Sequence, residues 1–479
     1  MRNFRHIIIG ICLVISAGVT ANAQRWQSML PFHSEKLGKD LPYSIVLPAD
    51  YESQSDKSYP VIYLTHGIGC TPDDWNDKYI QFEKTLSTLE ANGLGDFIYV
   101  FPTGFSSYYS NTYDGKFPYM DMFIQEFIPF IDGKYRTIAD RDHRATIGFS
   151  MGGFGAMVLP LKNTDTFCIS APLSMSFRTD EMYLEEPLKW WNEQWGSIFG
   201  GVDQEGQGRL TDYYKAHCPY YQFTAENEPE LSKVKWFLHC GDDEDRLLIA
   251  NDDLHVQMRD NGYKHEYRVG NGGHTGRYWR TCLLEVIPYI EFIMNGGKSW
   301  EHSTVTFDIP EQTEDNKDGG SVIYLAHDGL DESLVKEIVS IIKRDSKGRA
   351  VAVVPCNTAC TSLEKTVKQW SRKHDFIDAQ VIALGKAGRE AYKLQKHFSR
   401  LYFDNADILD DESALAPHPA KFWGISQTDD GPYYKDMGGL YKACKRTGAQ
   451  FEYRVRNGLP DDRENILNGI ETIKPYIFY

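Results

Sequence analysis

The stretch TIGFSMGGFG, Thr146 to Gly155, sets Ser150 between Gly148 and Gly152 in a GxSxG spacing. Gly and Ser are common, so the spacing alone is weak evidence and the flanks must decide. The preceding residues HRATIGF are short and β-like, and the following MGGFGAMVLPLK reads as a helix start. Strand, sharp turn, helix is the setting in which such a serine becomes a nucleophile. The turn is strained, and a Cβ at Gly148 or Gly152 would collide with neighbouring backbone. The helix N-terminus points its amides at a developing oxyanion, with Met151 as the first donor. An idle serine in a tight βα turn is the competing reading.

Upstream, YPVIYLTHGIGCTPDDW, Tyr59 to Trp75, is an apolar strand running into His66-Gly67 and a Gly-containing loop. The Ile68 N–H there is the second candidate oxyanion donor. Downstream, the strand opening VKWFLHC at Val234 ends in Asp242, Asp243, Glu244 and Asp245, and the strand HEYRV from His265 runs into a Gly-rich loop carrying His274. The order Ser, acid, His, each at a strand end, is that of an α/β hydrolase. Serine at its free pKa is a poor nucleophile; an imidazole takes its proton and a carboxylate orients the imidazole. His143, His239 and His265 lie within or beside strand-like runs and read as structural. The residues alone leave the four acids open.

Together YLTHGIGCTPDDW, IGFSMGGFGAM, CGDDEDRLL and GNGGHTGRYW resemble the putative-esterase family of α/β hydrolases, over about residues 26 to 294. That family includes feruloyl and acetylxylan esterases, esterase D, enterochelin-type esterases and mycolyltransferases. The resemblance implies an α/β-hydrolase fold, a mostly parallel doubly wound sheet, with Ser150 as nucleophile, His274 as general base and Asp245 as orienting acid. GDDED is one residue longer than the family's usual Gly-x-x-Asp. It implies a serine carboxylic ester hydrolase working through an acyl-enzyme, without metal or cofactor, on feruloyl or acetyl esters of carbohydrate, small or polymeric. An acyltransferase with the same site and a noncatalytic carbohydrate-binding scaffold are the alternatives. Candidate substrate contacts are His66, Gly67, Trp75 and Trp279 in these blocks, and Trp190, Trp191 and Trp195 in the long segment between Pro172 and Ser232. The last three fit a cleft-lining lid or the buried face of a cap helix equally.

The whole chain frames this reading. Residues 1–23, with Arg2 and Arg5, an apolar run and Ala21-Asn22-Ala23, read as a secretory leader, and export to the periplasm or medium is expected. Nothing else is long and apolar enough to insert into a bilayer. The formal charge of −16 becomes −18 without the leader, which disfavours nucleic acid as a partner. Nine cysteines in 479 residues are too sparse for a disulfide scaffold. Length favours two domains: an esterase domain over 24–298, a polar linker over 299–320, and a second unit over 321–479.

That second unit echoes the first. SVIYLAHDG answers PVIYLTHGI, VAVVPCN answers IYVFPTG, VIALGKAGREA answers TIGFSMGGFGA, and FEYRVRNG answers HEYRVGNG. The offset shrinks from 261 at His66/His327 to 235 at Ile147/Ile382 and 186 at Asn271/Asn457, as deletions between matched blocks would give. We therefore expect a shorter, degenerate α/β-hydrolase-like copy. Gly385 stands where Ser150 stands, Gly431 opposite Asp245 with Asp429 and Asp430 adjacent, and Pro460 opposite His274. An inert copy is expected to shape the cleft mouth or hold a glycan, leaving the first half competent on small esters.

Overall fold

The computed structural model describes residues 25–298, 300, 321–345, 349–356, 362–373, 378–408, 412–459 and 462–477. The expected leader, all but one residue of the expected linker, and Pro460 lie outside these. In the first half the strands are β1 (Trp26–Leu30), the short hairpin β2 (His33–Ser34) and β3 (Lys39–Asp40), β4 (Tyr43–Val46), β5 (Val61–Thr65), β6 (Ile98–Phe101), β7 (Arg144–Phe149), β8 (Ile169–Leu173), β9 (Lys235–Gly241) and β10 (His265–Gly270). The second half adds β11 (Ser321–His327), β12 (Ala350–Pro355), β13 (Asp378–Gly385), β14 (Arg400–Ala406), β15 (Phe422–Thr428) and β16 (Gln450–Arg456).

Strands β5 and β7 are buried at every position. Helices cover both faces of a parallel sheet, so its strands read as continuous apolar runs rather than alternating ones. Two antiparallel strands, β1 and β4, open the sheet, and β6, β5, β7, β8, β9 and β10 follow as parallel neighbours. The order β6-β5-β7-β8-β9-β10 recurs as β12-β11-β13-β14-β15-β16, again all parallel.

The two runs are not separate bodies. β10 pairs antiparallel with β16 through Val269 and Val455, giving, among the described residues, one sheet of 14 strands. Sequence suggested two domains in tandem; the structure joins them edge to edge. The physical reason is that an open parallel sheet ends in a strand with unpaired backbone groups, and a like edge satisfies them. On one face an apolar core runs without a break from Tyr43 through Trp236 and Val269 to Tyr453 and Val455. The other face divides into a core around Phe149 and Trp279 and another around Ile323 and Ile382.

Candidate active site

Three strand ends converge. Ser150 follows β7 with φ 58° and ψ −123° and opens the helix Met151–Lys162. A non-Gly residue with positive φ costs about 1–3 kcal/mol and persists only where its surroundings enforce it. Here Ser150 N–H donates to Leu173 O at 3.0 Å, and Ser150 O accepts from Ser176 N–H at 3.0 Å. Close approach explains the flanking glycines. A Cβ on Gly148 would lie 2.1 Å from Gly152 O, and one on Gly152 would lie 2.0 Å from Thr65 O.

The loop after β10 brings His274 to the serine: Nε2 lies 2.8 Å from Ser150 Oγ, while Nδ1 lies 2.8 Å from Glu244 Oε2. The imidazole is 39% exposed and the Glu244 side chain fully buried. The other oxygen of Glu244 accepts from Gly241 N–H at 3.1 Å and from Ser174 Oγ–H. Ser174 Oγ in turn accepts from Trp279 Nε1–H at 2.8 Å. A buried carboxylate held by two donors and facing Nδ1 fixes which imidazole nitrogen carries the proton and leaves Nε2 lone-paired toward the serine.

The carboxylate that meets His274 Nδ1 is thus that of Glu244 rather than the expected Asp245. Asp245 has φ 45° and sits at the start of the helix Arg246–Asp260, which turns its side chain outward. It is 88% exposed and pairs with Lys445 Nζ at 2.8 Å. Counted from Gly241, Glu244 holds the Gly-x-x-acid spacing that Asp245 exceeds by one residue, and its side chain reaches the ring. Asp243 meets the His274 loop through its backbone N–H, which donates to Gly272 O at 3.0 Å; Asp242 binds the loop from behind, its Oδ1 accepting from Gly272 N–H at 3.1 Å.

The candidate oxyanion donors lie where the fold offers them. Met151 is the first residue of its helix, so its N–H has no intrahelical acceptor four residues back. Gly67, beside Ile68, abuts the nucleophile: a Cβ there would lie 3.3 Å from Ser150 Cβ and 2.9 Å from the Phe149 ring.

Several expected substrate contacts are structural instead. His66 is wholly buried; its Nε2 accepts from Gly104 N–H at 2.8 Å, so Nδ1 is the donor to Gly67 O at 2.8 Å. Burial pushes its pKa down, so it stays neutral and shapes the loop. Trp75 is also wholly buried, packed edge-on against Phe149 at 4.8 Å. Of the cap tryptophans, Trp191 and Trp195 lie inside an aromatic core with Tyr183, at 5.8 and 5.1 Å, and only Trp190 is exposed. Their spacing suits a short buried helical face, and burial wins. Trp279 stacks on Phe149 at 4.1 Å and meets the His274 ring edge-on at 5.0 Å, which makes it a wall behind the imidazole.

Sequence reasoning missed Ser174, which follows β8 with φ 49°. The signal available was a polar residue just past a buried strand, in PLSMS.

In the second half, Gly385 stands at the position that the repeated sequence sets against Ser150. Gly385 ends β13 with φ 58°, the value at Ser150, and Asp328 Oδ1 lies 2.1 Å from where its Cβ would be. Asn405, with φ 42°, takes the place after β14's centre that Ser174 takes after β8. Among the described residues, no helix is long and apolar enough to cross a membrane.

Comparison with known proteins agrees with the first half. The family described as Putative esterase matches residues 34–290. An esterase of Mycobacterium tuberculosis is 33% identical over 136 residues, 26% of this chain and 27% of that protein. An endo-1,4-beta-xylanase/feruloyl esterase of Xylanibacter ruminicola is 27% identical over 263 residues, 53% of this chain and 29% of that protein. The chain thus spans under a third of the length of either curated relative. A solved ferulic acid esterase aligns at 28% identity and a TM-score of 0.46, covering 56% of this chain and 99% of that one. With more than half of its length matched by the family, this chain belongs to the putative-esterase family of α/β hydrolases.

Proposed function

We propose that this chain is a secreted serine carboxylic ester hydrolase with Ser150, His274 and Glu244 as its catalytic set. The observation that carries the proposal is the hydrogen-bonded line Glu244–His274–Ser150, with 2.8 Å at each link. In this mechanism Ser150 Oγ attacks the ester carbonyl as its proton passes to His274 Nε2. The Ile68 and Met151 amides stabilise the oxyanion, and Glu244 stabilises the imidazolium. His274 then protonates the departing alcohol. In the second step the same ring takes a proton from water, which attacks the acyl-enzyme and releases the acid. The exposure of His274 favours hydrolysis over acyl transfer, because bulk water reaches the acyl-enzyme.

An acyl group esterified to carbohydrate, feruloyl above acetyl, is the substrate class we favour, and the xylanase/feruloyl esterase relative supports it. Export rests on the leader-like residues 1–23. We read residues 321–479 as a degenerate second copy; the repeated strand order and Gly385 support this. The test is hydrolysis of p-nitrophenyl acetate, p-nitrophenyl butyrate and methyl ferulate by the purified protein and its Ser150→Ala variant. Turnover of methyl ferulate that vanishes in the variant is expected. Activity equal in both proteins would end the proposal.

A further inference from the structure

The loop that carries His274 is weakly determined by its own side chains, because Gly272 and Gly273 precede the histidine and Gly272 has φ 146°. Its position comes from the acid turn. Asp242 N–H donates to Gly270 O at 3.0 Å, Asp243 N–H donates to Gly272 O at 3.0 Å, and Gly272 N–H donates to Asp242 Oδ1 at 3.1 Å. The approach is close enough that a Cβ on Gly241 would lie 2.1 Å from Gly272 O.

The other oxygen of Asp242 faces the second half. Oδ2 accepts from Arg454 Nη1–H and from Tyr453 N–H at 3.3 Å, both on β16. The Asp242 and Arg454 side chains are 3% and 2% exposed. A carboxylate at that depth stays ionised and oriented only with a paired cation. The cation comes from across the seam.

A matched arrangement runs the other way. Asp429 Oδ1 accepts from Gly458 N–H at 2.9 Å, and its Oδ2 accepts from Arg268 Nη1–H at 2.6 Å and Tyr267 N–H at 3.4 Å. The two pairs are related by the local two-fold through Val269 and Val455. Among the described residues, it is the Arg454–Asp242 pair that leads, through Gly272, to His274.

We propose that Arg454 is a positioning residue for the esterase reaction. Through Asp242 it fixes the backbone of Gly272, and with it the approach of His274 to Ser150, so the second half completes the site of the first. This rests on the ester-hydrolase reading above. A displacement of about 1 Å in a catalytic group can cost about a hundredfold in rate, with substrate binding untouched.

The experiment compares Arg454→Met with Asp429→Asn in the full chain. Both remove a partner from a buried ion-pair cluster at the same seam, Arg268 keeping Glu266 and Glu285, so a purely structural role predicts that turnover falls only in step with melting temperature in either variant. Positioning predicts that Arg454→Met lowers kcat on p-nitrophenyl acetate, and the rate of fluorophosphonate labelling, by about ten- to a hundredfold with KM within about twofold. Asp429→Asn should keep kcat within about twofold. Arg454→Lys, which keeps the charge and loses the fork, should recover part of the rate, and it serves as the test variant if Arg454→Met does not fold. Unchanged kcat in the Arg454 variants, or an equal loss in Asp429→Asn, overturns the proposal. Absence of any labelling of Ser150 in the unaltered protein would instead overturn the ester-hydrolase reading itself.

Discussion

At the scale of single residues, the acid decides how the turn after β9 is understood. Glu244 and Asp245 are neighbours with the same charge, yet one is sealed behind His274 and the other points into solvent toward Lys445. Glu244→Gln should lower kcat by roughly 10³- to 10⁴-fold, because the amide favours the wrong imidazole tautomer. Asp245→Asn should change it by less than about threefold, since exposed ion pairs contribute little. Steady-state kinetics on p-nitrophenyl acetate checks both, and a larger loss at Asp245 would return the role to it. Ser150 and His274 were legible in the sequence because each follows a β-like run and lies among glycines. The acid was not, because four consecutive carboxylates differ only in how the backbone turns, and a positive φ at Asp245 leaves no mark in composition. Ser174 was invisible for a related reason: it contacts Glu244 across 70 residues of chain. His239 offers a test of pH dependence. Burial pushes its pKa down to about 3. Unfolded, the ring takes a proton near pH 6.5. The unfolded chain therefore binds more protons between these values, so stability is present above pH 6.5 and is lost as pH falls. His239→Gln should flatten the acid limb of urea stability by up to about 1.4 kcal/mol per pH unit. An unchanged slope would contradict the assignment.

At the scale of elements, the turn from β7 into the helix Met151–Lys162 works by close approach. Gly152→Ala would put a methyl 2.0 Å from the Thr65 carbonyl oxygen, which is backbone and cannot swing aside. We expect a loss of roughly 1–3 kcal/mol in stability and of most activity, measured by thermal unfolding and hydrolysis. The same geometry at Gly385 lacks the nucleophile, and there the obstruction is the movable side chain of Asp328. Gly385→Ser should therefore fold, and it should gain no fluorophosphonate labelling, since the repeated sequence sets Pro460 where the base would stand. These elements were legible because strand–Gly–helix patterns are local. The cap was half legible: the spacing of Trp190, Trp191 and Trp195 fitted a lid and a buried helix face equally, and which ring faces inward depends on Tyr183 and its neighbours.

At the scale of the whole molecule, the two halves form one sheet with a charged seam. The repeat was readable from matched blocks in order, whereas the joining of β10 to β16 was not, since pairing between two edge strands is set by contacts almost 200 residues apart. The seam revises what the second half is for. Sequence alone suggested that the first half would cleave small esters unaided; in the structure, removal of the second half strips Asp242 and Arg268 of Arg454 and Asp429 and bares the β10 edge. Breaking one buried pair costs about 3–5 kcal/mol, so a chain ending at residue 320 should be insoluble or markedly less stable. Sedimentation and thermal melting of that truncated chain check this. The central claim, that a single activated serine in the first half performs the chemistry, is tested most directly by treating the intact protein with an aryl fluorophosphonate and mapping the adduct by peptide mass spectrometry. The account predicts one adduct, on Ser150, absent from Ser150→Ala, with no modified residue between 321 and 479. No adduct on Ser150, or one in the second half, would contradict it.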